Sequence, residues 1–139
     1  MIKYRAMKRN KGLTLIEVFI IVILVCILAA MAIPRLLTYF YEAKIAREKA
    51  SVGSIRVGIN NYYLQSVLKN RQPPYPLTLD MAANDYASPT NPLFTTVLAS
   101  GVITREWRKL SNSQYQSEAS GIIYTYDCLT GQFKESSTP

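Results

Sequence analysis

Gly12-Leu13-Thr14-Leu15-Ile16-Glu17-Val18-Phe19-Ile20-Ile21-Val22-Ile23-Leu24-Val25-Cys26-Ile27-Leu28-Ala29-Ala30-Met31-Ala32-Ile33-Pro34 is the stretch that decides how this chain is built. From Leu13 to Ile33 only Thr14 and Glu17 are polar. A helix of that length spans about 30 Å, the hydrocarbon thickness of a bilayer. Proline within a helix removes one backbone hydrogen bond and bends it, so a kink is expected near Pro34. Glu17 is the unusual residue, because an ionisable group at mid-bilayer costs about 2.5–3.5 kcal/mol and less near an interface.

Upstream, Lys3, Arg5, Lys8, Arg9 and Lys11 fall within the first 12 residues with no acid among them. They supply 5 of the formal net charge of +7, leaving 11 basic and 9 acidic residues in 13–139. The excess is a short basic head beside an apolar segment. That arrangement marks a cytoplasmic flank and argues against a basic nucleic-acid-binding surface. The chain has no histidine, which removes the commonest general base and metal ligand. No phosphate-binding glycine loop or nucleophile motif occurs, so no enzyme and no cofactor are expected. Asp80, Asp85 and Asp127 are scattered, and no metal is proposed. Cys26 and Cys128 are the only cysteines and are not expected to pair within one chain.

Downstream, residues 35–70 read as the amphipathic continuation of the same helix. Val52, Ile55, Ile59, Tyr62 and Ser66 recur at helical spacing, with Tyr63 and Val67 beside them. Lys44, Glu48, Lys49 and Arg56 are placed mostly off that stripe. Gly53 and Gly58 weaken the helix by about 1 kcal/mol each relative to alanine. Arg71-Gln72-Pro73-Pro74-Tyr75-Pro76 ends it. Residues 71–139 form a small head. A short helix is expected at Pro92–Leu98, ended by Gly101. Strands are expected at Glu106–Leu110, around Gln114–Gln116, at Ile122–Tyr126 and at Gln132–Lys134. In the third, Ile122, Tyr124 and Tyr126 share one face. Asp127–Gly131 is a turn, and the tail from Glu135 is expected to fray. The fold class is therefore α+β: a long N-terminal helix, half of it transmembrane, packed on a small antiparallel sheet.

Gly12-Leu13-Thr14-Leu15-Ile16-Glu17, followed by 16 apolar residues and Pro34, resembles the prepilin processing and methylation segment shared by type IV pilins and type II secretion pseudopilins. The resemblance covers roughly residues 8–40. It implies that residues 1–12 are a leader, cut after Gly12 by a membrane-embedded aspartic prepilin peptidase. It implies that Leu13 becomes the N-methylated first residue of the mature chain. Glu17 would be the assembly carboxylate with Thr14 beside it, and Pro34 the helix-bending proline. Cleavage would also create an amine on Leu13, which a neighbouring subunit's Glu17 can meet. The implied partners are further copies and related pilins in a filament, the peptidase, an assembly-platform membrane protein and the lipid bilayer. The implied location is the bacterial inner membrane, N-terminus inside and head in the periplasm, before entry into the filament. Leu13 stands where the family usually has Phe, and the cysteine pair that closes the last loop of many major pilins is missing.

Two rival readings compete with this one. Ala30-Met31-Ala32 fits a secretory cleavage site after Ala32, which would release a binding domain. The apolar run is too long for a signal peptide, however, and Glu17 would lie inside it. Arg105, Trp107, Arg108 and Lys109 suggest nucleic-acid contact by stacking and phosphate pairing. The preferred reading is a strand with Trp107 in the core and solvated cations. Tyr39, Phe40 and Tyr41 are expected to mark a membrane interface, with stacking between subunits as the alternative reading.

Overall fold

The computed structural model describes Gly12 and residues 14–136. The basic head, Leu13 and the last three residues lie outside the described residues. One helix, α1 (Leu15–Leu68), is followed by a long irregular segment and four strands: β1 (Trp107–Lys109), β2 (Gln114–Ser117), β3 (Ile123–Asp127) and β4 (Gln132–Glu135). The chain divides into two compact units, with the boundary between Phe40 and Tyr41.

The first unit is helical from Leu15 onward, and the helix passes through Pro34 without interruption. No residue from Leu15 to Phe40 is buried. An 18-residue window here has a mean hydropathy of 3.1, so the helix is long and apolar enough to cross a membrane. A helix that is apolar all round requires an apolar surrounding, either lipid or other helices.

The second unit is the head. Its sheet is an antiparallel meander ordered β1-β2-β3-β4. Trp107 lies opposite Ser117, Tyr115 opposite Tyr124, and Tyr126 opposite Phe133. Alternate residues face inward, as the two-residue period of a strand requires. That places Trp107, Tyr115, Tyr124, Tyr126 and Phe133 in the core. Helix residues Val52, Ile55 and Ile59 meet them, together with Leu79, Ala87, Leu93 and Phe94 from the irregular segment. The core is therefore an aromatic cluster: Phe94 is 4.5 Å from Tyr115 and 5.5 Å from Trp107, ring centre to ring centre.

The helix ends in a Schellman motif. Asn70 takes the left-handed conformation (φ 51°), the Arg71 amide donates to the Ser66 carbonyl at 2.9 Å, and the Asn70 amide donates to Val67. Gly58 is not merely a weak helix position. A Cβ there would meet the Val97 backbone, so the glycine lets the irregular segment approach α1.

Several expectations need correction. Pro92–Leu98 does not form a helix. Leu93 bridges Val102, and Phe94 is left-handed (φ 61°), which leaves a single turn closed by the Leu98 amide on the Phe94 carbonyl. The left-handed conformation costs about 1–2 kcal/mol. Burying the Phe94 ring contributes about 1.5–3 kcal/mol, and the Asp80 carboxylate accepts the Phe94 amide at 2.9 Å. Ile122 precedes β3 and is exposed, so only Tyr124 and Tyr126 of the expected face are buried. Glu135 belongs to β4, and the Ser136 amide still donates to Ile123 at 2.7 Å, so fraying does not begin at Glu135.

Candidate assembly segment and its head domain

Thr14 starts the helix. Its carbonyl accepts the Glu17 amide at 3.0 Å and the Val18 amide at 3.2 Å, and its hydroxyl accepts the Glu17 amide at 3.4 Å. Thr14 is therefore the N-cap and Glu17 the third helical residue, the Thr-x-x-Glu spacing of a capping box. A carboxylate in the first turn also interacts favourably with the helix dipole. Glu17 thus has a local stabilising role besides any between subunits. Gly12 is exposed, and a Cβ added there would meet nothing within 4 Å. Leu13 lies between them but outside the described residues.

Pro34 has no N–H, which leaves the Ala30 carbonyl without its usual helical donor. Four residues on, the Thr38 hydroxyl donates to the Pro34 carbonyl at 3.3 Å. Between Leu15 and Pro34, Glu17 is the sole charged residue. Cys26 is exposed on this helix, and Cys128 is half-buried against the core of the head; both are free thiols.

In the head the expected basic-aromatic cluster is divided. Trp107 is buried. Lys109 is not a solvated cation. Its ammonium lies 2.7 Å from Asp80 and 2.9 Å from the Ala82 carbonyl, with the side chains of the pair 2% and 0% exposed. Sequence carried a sign of this, since Lys109 follows Trp107 by two residues and so shares its face. Asp80 also accepts the amides of Ala82 and Phe94, at 3.1 and 2.9 Å. Arg105 and Arg108 instead lie against the Tyr86 ring, at 4.6 and 5.1 Å from its centre.

Glu48 is the second buried group that the sequence stripe missed. It lies four residues before Val52 and therefore on the packed face. Its carboxylate accepts hydroxyls from Ser117 (2.8 Å), Ser120 (2.9 Å) and Tyr124 (2.6 Å), which ties α1 to β2 and β3. Arg56 also reaches the sheet, donating to the Phe133 carbonyl at 3.0 Å. That carbonyl belongs to the edge strand β4, so Arg56 covers part of an open edge.

Burial pushes the hydroxyl pKa values of Tyr115, Tyr124 and Tyr126 well above the ordinary tyrosine range. Negative neighbours add to this: Asp80 for Tyr115, Glu48 for Tyr124. The Tyr115 hydroxyl is buried without a hydrogen-bond partner among the described residues. The exposed Asp127 carboxyl is held below its usual range by the Leu129 amide at 2.9 Å and the Thr130 hydroxyl at 2.8 Å. Among the described residues no cluster of Cys, Asp and Glu converges as a metal site.

A long helix, apolar from Leu15 to Pro34 but for one carboxylate in its first turn, joined to a small antiparallel head, is a pilin-like arrangement. Type IV major fimbrial proteins FimA of Dichelobacter nodosus are similar to this chain, three of them at 39% identity over 55 residues. The match takes in 40% of this chain and 34–35% of those proteins, so it spans about a third of the length of the curated relatives. No protein-family model matches the chain, and no solved structure matches it. The similarity is to type IV fimbrial proteins and carries nothing specific to pseudopilins.

Proposed function

We propose that this chain is the precursor of a structural subunit of a type IV pilus-like filament. The observation that carries the proposal is the unburied apolar helix from Leu15 to Phe40, whose sole charged side chain before Arg35 is Glu17, next to the Thr14 cap. Lipid covers such a helix in the membrane, and other copies of it can do so in a filament. In that role residues 1–12 are the leader, 13–34 the transmembrane and assembly helix, 35–70 its amphipathic half and 71–139 the head. Gly12 precedes the bond cut by the prepilin peptidase. Leu13 supplies the new amine and carries the methyl group. Glu17 meets a neighbouring subunit's amine and sets the axial register between helices, because an unpaired charge in an apolar filament core is unfavourable. Pro34 lets the helix bend at the membrane border.

The similarity to fimbrial proteins supports a pilus subunit. Both a minor pilin and a secretion pseudopilin fit this chemistry, and the location of the assembled filament separates them. The subunit would wait in the inner membrane, basic head inside and sheet domain in the periplasm, until an assembly-platform protein feeds it into the filament.

Mass spectrometry of the mature N-terminus is the test. The expected chain begins at methylated Leu13, and Gly12→Val blocks the cut and leaves residues 1–12 attached. A mature chain beginning after Ala32, or normal trimming of Gly12→Val, would overturn the assignment.

A further inference from the structure

We draw no further inference here: the strongest candidate, the uncharged groove between the outer face of α1 at Gly53 and Val57 and the neighbouring residues 97–99 of the head, carries nothing, because nothing in the structure shows what covers it.

Discussion

Replacing Lys109 with Met removes the cation beneath Asp80 and leaves a carboxylate that is 0% exposed with, among the described residues, the Ala82 and Phe94 amides to satisfy it. Breaking a buried pair from one side costs about 3–5 kcal/mol, because the surviving charge stays desolvated. Domains of this size have total stabilities of about 5–15 kcal/mol, so the loss is a large share of the whole. For a domain of roughly 60–100 residues each kcal/mol shifts Tm by about 4–8 °C, so Lys109→Met should lower it by at least about 12 °C. Trp107 is the only tryptophan, is buried and lies two residues away, so its fluorescence during urea unfolding of the detergent-solubilised chain reports this core directly. Arg47→Ala provides the comparison. That pair has the same kind of contact at 3.0 Å, but its side chains are 75% and 41% exposed, and its loss should cost less than about 1 kcal/mol. Asp80→Asn combined with Lys109→Met should be less damaging than Lys109→Met alone, because the stranded charge is gone. A Lys109→Met loss no larger than that of Arg47→Ala, or a double variant worse than the single, would refute the argument from buried charge.

Four further outcomes follow from the same geometry. Gly58→Ala should destabilise the head by about 1–3 kcal/mol because its Cβ meets the Val97 backbone, whereas Gly53→Ala, with open space around it, should stabilise by up to about 1 kcal/mol; thermal melts of the two variants give opposite signs. Tyr115, Tyr124 and Tyr126 have raised folded-state pKa values, so the stability they contribute is fully present below the ordinary tyrosine pKa of about 10 and is lost as pH rises above it; in an alkaline titration followed by phenolate absorbance, these three of the ten tyrosines should ionise only as the head unfolds. Glu17→Val should leave a processed subunit that accumulates in the membrane but enters few filaments, with wild-type partners rescuing part of the yield; equal sheared-filament yield at equal membrane abundance would end the pairing argument. Cys128→Ser should leave the unfolding free energy from urea titration within about 1 kcal/mol of wild type, since the thiol is free, and a loss of about 2–5 kcal/mol would point to a lost disulfide instead.

Where a residue's role depends on its neighbours along the chain, the sequence was legible. The apolar run, the proline breaks and the alternating Tyr124 and Tyr126 each describe a local period, and α1 and the four strands lie close to where those periods place them. Pro92–Leu98 failed for the opposite reason. Its local signals favour a helix, but Phe94 is drawn into the core formed by residues far along the chain, and the backbone follows the ring. Glu48 and Lys109 were misplaced because a charged residue is expected in water. Each has distant partners that offset its desolvation: Ser117, Ser120 and Tyr124 for one, Asp80 for the other.

The sequence by itself determined that one segment is apolar enough to cross a membrane, that it carries a lone carboxylate near its start, and that a small α+β head follows. These are properties of composition and period, and they hold whatever the head's packing. The tertiary structure alone decided which polar groups are buried, and that Arg105 and Arg108 rest on Tyr86 while Lys109 lies inside. These features depend on contacts between residues tens of positions apart, and only the folded chain brings those residues together.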